Sequence, residues 1–136
     1  MFELHPRLMA DTFEICELGQ SKLLLMNDAR YLWCIIVPRV AGAVEWHDLD
    51  DATANAVFKE TMEVSKAIKS IGGIDKINIG AIGNVVSQLH IHVIGRKNGD
   101  AVWPAPVWGN GTAESYTEIG AKNIIEKIKT ALQKPL

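Results

Sequence analysis

The sequence has little of anything that would commit it to a specialised class. Its two cysteines, Cys16 and Cys34, sit in apolar stretches without CxxC spacing, so neither a zinc knuckle nor a disulfide framework is expected. No apolar run approaches the roughly 18 residues that a membrane span requires. The first seven residues lack the basic-then-apolar order of a signal peptide. Charge of one sign is missing as well: 14 Lys and Arg face 16 Asp and Glu, for a formal charge of −2. Without a basic block to displace counterions, binding of nucleic acid through bulk electrostatics is not expected. No repeat, low-complexity tract or linker divides the chain. What is there, 136 residues with 48% apolar and 22% charged side chains, suffices for one core. The expectation is a single domain over residues 1–136, cytoplasmic, with no membrane and no nucleic acid among its partners.

Periodicity predicts the elements. Residues 12–18 alternate, Gly19 and Gln20 turn the chain, and residues 21–26 follow as a buried run. A polar connection, Asn27 to Arg30, leads to a third strand over residues 33–37, which Pro38 ends. Asp48, Asp50 and Asp51 open a helix on which Val57, Thr61, Val64, Ile68 and Ile71 share one face. Lys59, Glu60, Glu63 and Lys66 lie mostly off that stripe, and Gly72-Gly73 stops the helix. Residues 74–82 and 89–94 read as two further strands. Residues 103–108 are too rich in proline for regular structure, and Ser115 to Glu118 has capping-box spacing. The helix it opens carries Ala121, Ile124, Ile125, Ile128 and Leu132 as its stripe. Strands, helix, strands, helix is the order of an α+β fold.

The informative stretch is Gln88-Leu89-His90-Ile91-His92-Val93-Ile94. Side chains two apart share a strand face. Leu89, Ile91 and Val93 therefore enter a core, and Gln88, His90 and His92 lie side by side on the other face. Adjacent imidazoles can ligate a metal, supply a nucleophile or base beside an anion-binding neighbour, or respond to pH. On spacing alone the metal and nucleophile readings stand equal. A metal site lacks a third ligand in any recognisable motif, since His5, His47 and the acidic residues form none. Gly80 and Gly83 precede the histidines, where backbone amides can approach a ligand closely, and Asn84 and Ser87 add neutral donors. Such donors suit a phosphate oxygen better than a divalent metal.

Together these residues resemble the histidine triad (HIT) superfamily of nucleotide hydrolases and transferases, whose signature is His-φ-His-φ-His-φ-φ after a glycine-containing phosphate loop. The likeness covers roughly residues 12–104 and includes Asn27-Asp28, Ile36-Val37-Pro38 and the segment from Arg96 to Asp100. It implies a HIT-like fold, a five-stranded antiparallel sheet with two main helices, and a homodimer. It implies a small-molecule nucleotide substrate, no cofactor and no metal. His90 would attack the α-phosphorus to form a nucleotidyl-histidine, and His92 would bind phosphate oxygens. Gly83, Asn84 and Ser87 would line the phosphate site, and Asn27 would meet the ribose. The chain departs from the signature at Gln88, which replaces the first histidine; it can orient His90 by hydrogen bonding but cannot carry a proton between steps. Val85 stands where many members have a hydroxyl near the leaving group. These two departures motivate an alternative, a nucleotide-binding or sensing protein with weak or no catalysis. Trp103 is a candidate wall for a base, Trp108 a packing residue, and Trp33 and Trp46 core or interface residues. His5 and His47 read as surface or capping residues.

Overall fold

The computed structural model describes residues 1–133. A short helix α1 (Pro6–Asp11) leads into three strands, β1 (Thr12–Glu17), β2 (Ser21–Met26) and β3 (Leu32–Pro38). A 3-10 turn at Trp46–Asp48 precedes the long helix α2 (Asp51–Ser70); β4 (Lys76–Gly80), β5 (Ile91–Arg96) and α3 (Glu118–Gln133) complete the order. The strands form one sheet in the order β1-β2-β3-β5-β4, with every neighbouring pair antiparallel. This is a HIT-like α+β architecture of three helices, two of them main.

Alternation in β2, β3 and β5 builds two cores. On one face Leu23, Leu25, Cys34, Ile36, Ile91 and Val93 meet Val57, Val64 and Ile68 of α2 and Ile128 of α3. On the other, Leu24, Trp33, Ile35, Val37 and Ile94 are covered by Leu8 of α1, by Phe2 and Leu4, and by Val107 and Trp108. Asp50 caps α2 by accepting a 2.8 Å hydrogen bond from the Thr53 amide. The helix lies close on the sheet because Gly95 has no side chain there. A Cβ at that position would come within 2.8 Å of both Ile68 Cγ2 and Ile74 Cδ1.

Several local expectations shift. β4 is shorter than residues 74–82, and β5 starts at Ile91, so His90 lies just ahead of the ladder rather than inside it. Leu89 nonetheless enters the helix-side core, so the alternation holds through the boundary. Helix α1 was not foreseen; His5 Nδ1 accepts from the Arg7 amide and Pro6 sits in the first turn, as helix starts favour. Glu60 is not an outward residue of α2. It is buried, accepting from the Gln20 amide at 2.8 Å and the Ser21 hydroxyl at 2.9 Å, which fastens the β1–β2 turn to the helix. Thr117, whose hydroxyl accepts from the Gly120 amide, takes the capping role expected of Ser115.

Two long-range polar links fix the parts that β5 connects. The Gln88 side chain grips the N-terminal arm, its Oε1 accepting from the His5 amide (2.9 Å) and its Nε2 donating to the Glu3 carbonyl (2.8 Å). Arg96 is buried at the far end of β5, where Asp100 accepts from its Nε and Nη2 at 2.8 and 2.9 Å. Its Nη1 donates to Asn78 Oδ1 and the Ala105 carbonyl. The Arg96 hydrogen bonds hold the Asp100 carboxyl down to about 2.

Removing the Asp100 charge leaves a buried guanidinium without its counterion. Asp100→Asn is therefore expected to lower urea-measured stability by about 3 kcal/mol at neutral pH. A depressed carboxyl stabilises the fold above its unfolded value of about 4, and the contribution fades as pH falls toward the folded value. The difference between parent and variant should shrink between about pH 4 and pH 2; a constant difference across that window would contradict the assignment. Gln88→Ala should release the arm. Amide exchange at His5 is expected to rise at least about tenfold, the loss of roughly one hydrogen bond's worth of local stability, with the global unfolding midpoint little changed.

Candidate active site

His90 and His92 share the face of β5 that bears Ile94, and their rings meet edge-on with centroids 4.9 Å apart. Both are buried, at 6% and 5% exposure. Their surroundings fix where each ring carries its hydrogen. His90 Nδ1 lies 2.6 Å from the Gln88 carbonyl oxygen. A carbonyl only accepts, so Nδ1 is the protonated nitrogen, and in the neutral ring Nε2 keeps a free lone pair. His92 Nδ1 lies 3.0 Å from the indole nitrogen of Trp33. Indole N–H only donates, so His92 Nδ1 carries the lone pair and Nε2 the hydrogen. The two neighbours thus hold opposite tautomers: one offers a nucleophilic nitrogen, the other a donor.

Burial pushes His92 down to about 3, with the charge of His90 acting in the same direction. His92 is therefore a neutral donor at any pH near neutrality. Aromatic rings enclose it: Trp33 at 5.7 Å and Trp108 at 5.4 Å between centroids. Trp108 reaches this position over Gly80, which pairs with His92 in the ladder; a Cβ on Gly80 would fall 2.9 Å from Trp108 Cη2.

Residues 81–90 bring the remaining groups to the rim. Gly83 has φ +65°, a conformation that favours glycine. Val86 is buried in the second core and the Leu89 amide donates to the Ala43 carbonyl, so the loop is pinned on both sides of Ser87. Around those anchors, the backbone amides of residues 84–88 make no hydrogen bond to protein among the described residues. His90, Ser87, Gly83, Trp46 and Glu45 border a cleft of about 100 Å³. A larger hollow of about 570 Å³ lies between the arm and β1–β2, lined by Phe2, Leu4 and Leu24 among others. Neither histidine lines it, whereas His90 lines the smaller cleft.

The structure brings His90, Gly83 and Ser87 to one cleft, sets His92 against the His90 ring without placing it among the cleft's lining residues, and leaves Asn84 exposed on the loop. It does not bring Gln88's side chain to His90. That amide is spent on the arm, and His90 is oriented by the Gln88 backbone carbonyl instead. Nor does it bring Asn27 to the histidines. Asn27 follows the end of β2 opposite the end level with His90, and its Oδ1 accepts from the Tyr116 amide at 2.8 Å. Trp33 was read as a core or interface residue, and its hydrogen bond to His92 was missed. The signal that would have found it is the pairing of Trp33 with Ile94 and of Ile35 with His92, which sets the indole on the histidine face. Among the described residues no third His, Cys, Asp or Glu joins the two histidines in a metal-binding group.

Comparisons with known proteins agree with this geometry. None of the curated proteins compared matches the chain. Among solved structures, a histidine triad protein from Marinobacter aquaeolei VT8 is 40% identical, with 98% of this chain and 97% of that chain covered and a TM-score of 0.95. One from Bradyrhizobium japonicum is 42% identical over 96% of this chain and 98% of that chain, with a TM-score of 0.94. One from Sinorhizobium meliloti 1021 is also 42% identical, over 96% of both chains, again with a TM-score of 0.94. The HIT domain family model matches residues 7–99, which include the three strands of the meander, α2, and both histidines of the site; the chain belongs to the HIT domain family.

Proposed function

We propose that this protein is a nucleotide hydrolase or nucleotidyl transferase acting on the α-phosphate of a nucleotide conjugate, either a dinucleoside polyphosphate or a nucleoside phosphoramidate. The observation that carries this reading is the pair of opposite tautomers. His90 Nε2 attacks phosphorus with its lone pair, and the bond from phosphorus to the leaving group breaks. His90 Nδ1–H keeps donating to the Gln88 carbonyl, which stabilises the cationic imidazole formed on attack. His92 Nε2–H and the free amides of residues 84–88 donate to the phosphate oxygens. The leaving group takes its proton at the solvent-facing rim, where the Ser87 hydroxyl lies. Water then attacks phosphorus, releasing the nucleoside monophosphate and restoring Nε2. This route asks for neither a metal nor a side-chain carboxylate.

A second reading, a nucleotide-binding or sensing protein, is favoured by two features. Gln88's side chain is engaged elsewhere, and Val85, 78% exposed at the rim, offers no hydroxyl. Rapid mixing with a nucleoside phosphoramidate and with a dinucleoside polyphosphate, quenched in base, separates the two. Covalent chemistry gives a nucleotidyl adduct on His90 by mass spectrometry, at least about 10³-fold lower turnover in His90→Ala, and no effect of EDTA. Turnover abolished by chelation would overturn the mechanism, and tight binding without adduct or turnover would establish the second reading.

The homodimer that the resemblance implies is proposed here through β4. That strand is a sheet edge with one side of its backbone unpaired, and Ile79 and Ile82 beside it are each 45% exposed. Sedimentation should give twice the 15.0 kDa chain mass, and Ile79→Glu should shift the equilibrium toward monomer, since it puts a charge on the exposed apolar surface of the edge strand.

A further inference from the structure

Two indoles flank His92, and they are not equivalent. Trp33 donates to His92 Nδ1, whereas the Trp108 indole nitrogen is buried with no partner among the described residues. Trp108 supplies packing; Trp33 alone supplies a directed hydrogen bond. A neutral histidine has two tautomers that differ little in free energy when nothing discriminates between them. A single buried donor at one nitrogen is therefore enough to set the hydrogen on the other.

We propose that Trp33 is a positioning residue: its indole N–H keeps the His92 hydrogen on Nε2, so that His92 is always presented to the substrate phosphate as a donor. The proposal rests on the phosphate-binding role given to His92 above. Without Trp33, His92 would populate the Nδ1–H form, whose Nε2 lone pair would face the phosphate oxygens and repel them. The groups around His92 make this sensitivity specific. β3 presents Trp33 and Ile35, β4 presents Gly80, and the segment after β5 presents Trp108; among the described residues the titratable neighbour acting on it is His90, just ahead of its strand. No carboxylate among the described residues acts on His92 to select the tautomer in place of the indole.

Trp33→Phe, which keeps a ring and removes the N–H, is expected to lower kcat roughly tenfold at neutral pH, with KM little changed. It leaves burial and His90 in place, so His92 stays neutral and the loss should be the same from about pH 6 to pH 8.

The test pairs those kinetics with nitrogen-15 NMR of labelled histidine in the whole protein. The parent should show His92 as the Nε2–H tautomer, without titration from pH 5 to 9. Trp33→Phe should show mixed tautomers, while Trp108→Phe, which removes packing but not the bond, should retain the parent tautomer. A parent His92 in the Nδ1–H form, or a Trp33→Phe His92 that stays wholly Nε2–H, would overturn the proposal. So would the same tautomer loss in Trp108→Phe. If the parent shows the fixed tautomer and Trp33→Phe loses it, yet neither turns over nucleotide substrates, the positioning stands and the catalytic reading falls.

Discussion

Burial of β5 on both faces is the constraint from which the rest follows. All six of its residues are buried, with β3 on one side, β4 on the other, and a core above and below. A strand in that position normally carries apolar residues throughout. Here it carries Arg96, with His92 inside it and His90 at its entrance. Each is tolerated because a partner is waiting: Asp100 for the guanidinium, the Trp33 indole for His92, the Gln88 carbonyl for His90. An unpaired polar group at such a depth costs about 1–3 kcal/mol. The same desolvation that threatens stability keeps His92 neutral, so the chemistry of the site is a by-product of where the strand lies.

The electrostatics of the site are unusual for the anionic substrates proposed for it. Arg96, which is buried, and Arg30, which is partly so, are each paired, with Asp100 and Asp28, and are committed to the fold. Phosphate would instead meet neutral donors, held in place before it arrives: an imidazole N–H and a row of backbone amides. Preorganised neutral dipoles act in a dry cleft without the solvation penalty of a naked charge. That accords with a chain whose acidic and basic residues nearly cancel.

Much of this was legible in the sequence, and the boundary is physical. Alternation alone separated Leu89, Ile91 and Val93 from His90 and His92, because a strand's period survives whatever its neighbours are. Partners across the sheet were not legible. Trp33 and His92 are 59 residues apart, and only the β3–β5 register joins them. Glu60 was misread for a similar reason: helical periodicity places it beside the apolar stripe, and only the β1–β2 turn packed there makes burial worthwhile. Gln88 shows a third kind of limit. Its identity as a substituted histidine was plain, but its side chain answers to Glu3 and His5, at the opposite end of the sequence. Likeness at a motif position gives the backbone path; it does not tell where a replaced side chain finds its hydrogen bonds.

The grip of Gln88 on the arm has a consequence for how the molecule is assembled. Its two hydrogen bonds span separations of 83 and 85 residues, among the longest in the chain. On a chain emerging from its N-terminus, residues 3 and 5 must wait, undocked, until the loop ahead of β5 follows. Contacts of such separation require the entropy of loop closure to be overcome first, and so they form late. The loop that carries the free amides is fastened by the same residue. Completion of the candidate rim is thereby tied to the final stage of folding, and a chain truncated before the loop that carries Gln88 would lack the cleft.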